Sequence, residues 1–314
     1  MTVAFVFPGQ GSQAVGMGKG LAEAFVPARR VFEEVDAALG EGLSRIIWSG
    51  PAETLTLTEN AQPALMAVSL AALRVLETEA GLDLGRDAAY VAGHSLGEYS
   101  ALAAARALTI TDAARLLRTR GRAMQMAVPV GVGAMAALVG VELDTARTIA
   151  AEAQGAGVCA AANDNGGGQV VLSGEKSAVE RAIEIAKTHG VKRAMMLPVS
   201  APFHCALMRP AAQAMAEALA QVNVKPPCVP LVANVLARPV SDPGVIVRSL
   251  VEQVTGTVRW RESVLFMVRA GVTKFYEIGA GKVLTGLIKR IAAAAHASWI
   301  GTPDDIARFK AARG

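Results

Sequence analysis

The segment VAGHSLGEYSALAAA, Val91 to Ala105, sets a serine between two glycines in the pattern GxSxG, with an apolar run before it and a helix-forming run after it. A strand that passes into a helix through so short a turn bends the chain sharply at Ser95. Gly93 and Gly97 relieve the crowding of that bend, the hydroxyl stands exposed above the sheet, and the N–H of Leu96 is free to donate. The strand before the bend is apolar on both faces, so helices must cover both, which is the mark of a parallel sheet. Ser95 is therefore read as a nucleophile. A helix N-cap serine is the plainer role, and the two are compatible.

The rest of the chain has the rhythm of an α/β protein. Val3 to Phe7 reads as a first strand that enters the turn PGQGSQ and then a helical stretch, LAEAFVPARRVFEEVDAAL. An amphipathic segment from Pro63 to Ala80 precedes the serine strand, and a helix from Leu96 to Arg106 follows it. From Gly133 to Val199 the order is strand GAMAALVG, helix ELDTARTIAAEAQ, strand GVCAAAN, strand GQVVLSGE, helix KSAVERAIEIAKTHG and strand VKRAMMLPV. That βαββαβ order predicts a self-contained ferredoxin-like small domain over 128–198, inserted in the larger one. Beyond it come a helix from Met208 to Gln221, strands near Pro230 to Val235 and at KFYEIG, and the helix KVLTGLIKRIAAAA. At 314 residues, one large domain carrying a smaller one is the expected division.

Composition excludes several classes of function. The chain is 52% hydrophobic, 18% charged and 4% aromatic, which fits a folded core built of Ala, Val and Leu. A net charge of +4 is spread along the chain, the one dense group being Arg115, Arg118, Arg120 and Arg122, read as a helix face. With only three Trp and three Tyr there is no basic stripe with aromatic platforms, so no nucleic-acid partner is expected. The charge-free run from Ala123 to Val141 contains Pro129, Gly131, Gly133 and Gly140, so no membrane span is expected either. Cys159, Cys205 and Cys228 have neither disulfide nor zinc spacing, which predicts no metal and a reducing cytoplasm. The N-terminal MTVAFVFPGQ lacks a basic leader and reads as a strand, not a signal peptide.

A serine nucleophile needs a base, and the chain has four histidines. His94 adjoins Ser95 at a sharp turn and suits packing. His189 lies in the last turn of a helix, where a basic group suits the dipole, and His296 lies in the Ala-rich tail. His204 remains, in LPVSAPFHCALM, where the chain leaves the small domain; a cleft between two domains makes it the base. Whether an acid, a backbone carbonyl or an amide side chain orients its ring is left open. The stretch GQGSQA imitates a dinucleotide turn, but Glu33, Glu34 and Asp36 lie in helical sequence, not at a strand end. Gln10 instead sits where a second backbone donor to an oxyanion is needed, beside the Leu96 N–H. Arg120 is either a solvated helix arginine or a planar fork for a carboxylate.

FVFPGQGSQ, GHSLGEYSALAAA, RGRAMQ, VSAPFHCALM and EIGAGKVLTGL occur in this order between Val3 and about Arg290. Together they resemble the malonyl-CoA:acyl carrier protein transacylases of fatty-acid synthesis and the related acyltransferase domains of polyketide synthases. The resemblance implies an α/β-hydrolase-like catalytic domain over 1–127 and 199–314, with the ferredoxin-like domain between. It places the nucleophile on Ser95, the base on His204 and the oxyanion donors on the N–H groups of Gln10 and Leu96. It gives Arg120 the malonyl carboxylate and makes the main-chain carbonyl of Gln253 the group that orients His204, which favours a dyad. Asn163 and Gln169 align with cleft residues. Phe203, in APFH, departs from the small residue of many stand-alone bacterial members and resembles malonyl-selective polyketide acyltransferases; its ring would crowd an α-methyl branch.

The activity so implied is transfer of malonyl from malonyl-CoA to the phosphopantetheine thiol of acyl carrier protein, in two steps through a malonyl-serine, supplying fatty-acid synthesis. A polyketide role stays possible. No cofactor is expected, malonyl-CoA being a substrate, and the chain is expected to act as a monomer. A thioesterase built on the same bend and a non-catalytic binding module for the carrier protein are the rivals.

Overall fold

Among the described residues, ten strands form two sheets. In chain order they are β1 (Thr2–Phe7), β2 (Tyr90–Gly93), β3 (Gly133–Val139), β4 (Cys159–Gly166), β5 (Gln169–Glu175), β6 (Arg193–Met196), β7 (Leu231–Val232), β8 (Pro239–Val240), β9 (Val272–Ile278) and β10 (His296–Ile300). They belong to a computed structural model that describes residues 2–199 and 201–313.

The larger sheet runs β10-β9-β1-β2-β7-β8 and is parallel except for β8. Its central strands are apolar on both faces, as a helix-covered parallel sheet requires. Phe5 and Phe7 of β1 pack into one core with the helix Thr58–Ala80. Ala4 and Val6, pointing the other way, pack with Phe275, Leu284 and Trp260. The smaller sheet runs β4-β5-β3-β6 with antiparallel neighbours, and helices Leu143–Ala153 and Lys176–Thr188 complete a ferredoxin-like βαββαβ unit. Ala136 and Leu138 of β3 face those helices. Met135 faces the larger core, so the second face of this small sheet closes over the first lobe. The two lobes are joined by main-chain bonds: Val258 N–H donates to Ala162 at 2.8 Å, and Asp164 N–H donates to Val258 at 2.9 Å.

Several elements differ from their sequence reading. The Pro63–Ala80 segment is not amphipathic. It belongs to a helix from Thr58 to Ala80 whose buried residues run from Thr58 through Leu76 on all sides, because small alanines let neighbouring helices close around it. The helical stretch after the first turn is two helices, Lys19–Ala24 and Val26–Leu39, broken at the extended Phe25; Pro27 opens the second, where its missing N–H costs nothing. The strand expected to reach Val199 stops at Met196. The Ala-rich tail holds an edge strand, β10, which starts at His296 and pairs with β9, and then a helix, Pro303–Arg313.

At the end of β9 the motif EIGAGK turns into the helix Val283–Ile291. Glu277 is buried there and accepts from the N–H groups of Leu284 at 3.0 Å and Thr285 at 2.7 Å. A fixed acceptor thus already occupies the helix start where a phosphate would sit, which gives this motif a structural role. Glu277→Ala is expected to destabilise the fold by about 1–3 kcal/mol for each amide left unpaired, read as a lower urea midpoint with unchanged slope.

Candidate active site

The bend after β2 is strained in the manner its sequence demands. Ser95 has φ 53°, a left-handed value uncommon for a residue with a side chain. A Cβ on Gly93 would stand 1.9 Å from the Gly97 oxygen, and one on Gly97 would stand 2.3 Å from the Phe7 oxygen. Only glycine allows the strand, the bend and β1 to approach so closely. The strained geometry is over-determined by hydrogen bonds: Ser95 N–H donates to Asn234 Oδ1 at 2.8 Å, and Gln253 Nε2 donates to the Ser95 carbonyl at 3.0 Å. Leu96 is the N-cap of the helix Gly97–Ala104, so its N–H belongs to the group of amides that a helix start leaves without an intrahelical acceptor.

Ser95 Oγ lies 2.8 Å from His204 Nε2, across 109 positions of sequence. His204 Nδ1 lies 2.8 Å from the main-chain oxygen of Gln253. A carbonyl only accepts, so Nδ1 carries the proton and the Nε2 lone pair faces the serine hydroxyl. Burial, reinforced by the Arg120 charge, pushes His204 down to about 3 even though the Gln253 carbonyl favours its charged form. The imidazole is therefore neutral, with its Nε2 lone pair toward the hydroxyl. His204 itself has φ 58°, so both partners of this contact are held in left-handed backbone.

The solvated-helix reading of Arg120 does not hold. It is 1% exposed, whereas Arg115 and Arg122 lie on the surface, so the arginine group is not one solvated face. Its Nη1 donates to Gln62 Oε1 at 2.8 Å; its Nη2 donates to Gln253 Oε1 at 2.9 Å and to Ser95 Oγ at 3.1 Å. The guanidinium carbon stands 5.8 Å from the centroid of the Tyr99 ring. Gly121 leaves no opening for a ligand: a Cβ there would meet the Glu59 Cα at 2.5 Å, so it lets two helices close on each other.

A cavity of about 420 Å³ opens above Ser95 and His204, between the two lobes. Gln10, Leu96, Arg120 and Phe203 line it from the larger lobe, and Asn163 and Gln169 from the smaller. Gln10 Oε1 accepts from Thr58 Oγ1 at 2.6 Å, which fixes the loop after β1. Gln169 Oε1 accepts from Arg290 at 3.5 Å. Met124, Met135, Val171, Leu197 and Val199 complete an apolar wall. The sequence-derived residues thus converge on one cavity, with Gln253 fully buried behind His204.

Sequence reasoning missed Asn234, Glu98 and Gln62. Asn234 follows β7 and holds Gly93 O as well as Ser95 N–H; a polar residue just beyond an apolar strand end was the available signal. Glu98 reads as an ordinary acid in a first helical turn, yet it is fully buried. His94 does not pair with Ser95: its Nε2 meets Asn165 Oδ1 at 2.9 Å and its ring lies 5.8 Å from Trp260. Half-buried His189 sits 3.2 Å from Glu152. Among the described residues, no cluster of His, Cys, Asp and Glu could hold a metal, and no helix is long and apolar enough to cross a membrane.

Residues 4–302 match the family described as acyl transferase domain. A relative from Bacillus subtilis (strain 168), a malonyl CoA-acyl carrier protein transacylase, is 46% identical over 290 residues, which is 92% of this chain and 90% of that protein. The crystal structure of an acyl-carrier-protein S-malonyltransferase from Bartonella henselae superposes with a TM-score of 0.97 at 57% identity, covering 100% of both chains. A malonyl-transacylase in complex with a type II polyketide acyl-carrier protein superposes at 0.94 with 41% identity, covering 98% of each chain.

The neutral His204 has a measurable consequence. Acylation of Ser95 by a saturating activated ester is expected to hold level from about pH 8 down to about pH 5, since the base gains its proton only well below that range. A fall centred on the ordinary imidazole value, in stopped-flow traces, would contradict the burial of the ring.

Proposed function

The chain belongs to the acyl transferase domain family, and on that premise we propose that it moves malonyl from malonyl-CoA to the phosphopantetheine thiol of acyl carrier protein through an ester on Ser95. The observation that carries this reading is a buried guanidinium 3.1 Å from the oxygen of a serine that is itself 2.8 Å from a neutral imidazole. A serine and histidine alone serve any acyl group. The arginine beside them selects an acyl group that ends in a carboxylate.

In the first half-reaction His204 Nε2 takes the Ser95 proton as Oγ attacks the thioester carbonyl. The Gln253 carbonyl holds the ring by Nδ1–H and stabilises the imidazolium that forms. The N–H groups of Gln10 and Leu96 donate to the carbonyl oxygen as negative charge develops on it. His204 then protonates the departing coenzyme thiolate. In the second half the carrier thiol gives its proton to His204 and attacks the ester, and Ser95 recovers its hydroxyl proton. A carboxylate one methylene beyond the ester carbonyl comes within reach of Arg120, which exchanges its bond to Ser95 Oγ for one to the acyl group. Phe203 walls the α-carbon, and Asn163 and Gln169 face the arm of the thioester from the small lobe. The product supplies fatty-acid synthesis. We place the lobe boundaries at 128 and 198, a division supported by the four strands of the second sheet, and the chain in a reducing compartment, supported by the free thiols of Cys159, Cys205 and Cys228.

Intact-protein mass spectrometry after mixing with malonyl-CoA is expected to show a malonyl adduct that is absent in Ser95→Ala; no adduct on the wild type would sink the assignment. Arg120→Ala is expected to lower malonyl transfer by about tenfold or more, given about 1.5–3 kcal/mol per charge-assisted bond, while acetyl transfer persists or rises. Equal loss of both would count against the clamp. Phe203→Ala is expected to admit methylmalonyl-CoA, read as a new adduct on Ser95, with no new adduct arguing that the ring does not set this limit.

A further inference from the structure

Arg120 is buried, and the groups its nitrogens touch, Gln62, Gln253 and Ser95, are all neutral. A guanidinium keeps its proton at any working pH, so a buried one needs a counter-charge nearby. That charge lies one amide away. Glu98, 0% exposed in the first turn of the helix Gly97–Ala104, accepts at Oε2 from Asn234 N–H at 3.0 Å and from Gln253 Nε2 at 2.8 Å. Its Oε1 is buried with no partner. Gln253 therefore turns its amide nitrogen to Glu98 and its amide oxygen to Arg120, a dipole aligned between a buried anion and a buried cation.

Building on the assignment of Arg120 to the malonyl carboxylate, we infer that Glu98 is a positioning residue that serves as the resident counter-ion of Arg120, relayed by the Gln253 side chain, and so sets how tightly the site holds an acyl carboxylate. An arriving carboxylate places a second anion around one guanidinium. That repulsion is relieved when Glu98 takes a proton from solvent on the partnerless Oε1, which leaves both bonds at Oε2 in place. Burial pushes Glu98 up to about 7, opposed by the bonds from Asn234 and Gln253 and by the Arg120 charge, so the protonation falls in the working range. The charged or titratable groups acting on Glu98 are Arg120, from the helix Ile110–Met126, and Tyr99, its neighbour on its own helix; Asn234 and Gln253 on the other side are neutral. Carboxylate binding and protonation of Glu98 then favour one another by equal factors.

The test is the ratio of KM for malonyl-CoA to KM for acetyl-CoA, between about pH 6 and about pH 9, in the wild type, Glu98→Gln and Arg120→Ala. The ratio cancels titration of the shared coenzyme. In the wild type it is expected to rise about fivefold or more with pH, as Glu98 ionises and competes for Arg120. In Glu98→Gln, which keeps an acceptor toward Gln253 and loses the charge, the ratio is expected to stay flat at the low-pH value. A flat wild-type ratio overturns the inference, and so does a folded Glu98→Gln whose ratio still rises. Should that variant fail to fold, the wild-type profile decides. Arg120→Ala separates the two levels: if malonyl stays preferred there, the carboxylate assignment itself fails; if the preference vanishes while the wild-type ratio is flat, only the Glu98 relay fails.

Discussion

Gln253 is uncharged, yet several polar contacts of the site meet on it. Its main-chain oxygen accepts from His204, its side-chain oxygen accepts from Arg120, and its side-chain nitrogen donates to the Ser95 carbonyl and to Glu98. A carboxylate at the position of that main-chain oxygen would orient the imidazole equally well, but it would raise the basicity of His204 and pair with Arg120. The arginine would then be spent inside the protein and closed to a substrate anion. A neutral carbonyl orients the ring and leaves the guanidinium available. A carbonyl in that place orients the ring without adding a second buried anion to Glu98.

The large sheet determines where this cluster can form. Neighbouring strands β1 and β2 end side by side in parallel register, Phe7 opposite Gly93, so the loop carrying Gln10 and the bend carrying Ser95 leave the sheet at the same edge. Strand order departs in opposite directions from β1, toward β2 on one side and β9 on the other, and that is where a parallel sheet leaves a crevice beyond its strand ends. The small lobe roofs the crevice with one face of its sheet. His204 enters it from the segment that leads back from that lobe, which is why it meets Ser95 across 109 positions of sequence. The bond from His94 to Asn165 and the main-chain pairing at Val258 hold the roof to the sheet beneath.

Much of this was legible because covalent geometry leaves few alternatives. A GxSxG between an apolar strand and a helix admits one conformation, and four histidines leave few candidates for a base. The βαββαβ unit announces itself by alternation of period. The illegible parts share another cause: they depend on burial, which polar residue type does not reveal. Glu98 and Arg120 look like ordinary helical charges, and only tertiary packing shows that both are inside. Asn234 and Gln62 act through an amide whose value depends on what stands opposite. The carbonyl of Gln253 is a backbone atom, invisible to any reading of side chains, and only the family resemblance pointed to it. Likewise, β10 is an edge strand of mixed polarity, and the helix Thr58–Ala80 is buried on all sides over most of its length, so neither carries the usual periodic signal.

These site features are costly for the fold, and the packing around them accounts for how they persist. Ser95 and His204 occupy left-handed backbone, and Glu98 Oε1, Arg120 Nε and the Tyr99 hydroxyl are buried with no partner. Each such feature opposes folding by about 1–3 kcal/mol. The offset comes from the layer beneath. The alanine-rich helix Thr58–Ala80 packs against the helix Ile110–Met126 so closely that Gly121 meets the backbone of Glu59, and this contact delivers both Gln62 and Arg120 to the same face of the cavity. Close packing of small side chains buries apolar surface and leaves the guanidinium no room to reach solvent. The same contact therefore stabilises the core and holds Arg120 beside Ser95 before any substrate arrives, so the ordering of that long side chain belongs to folding and not to binding.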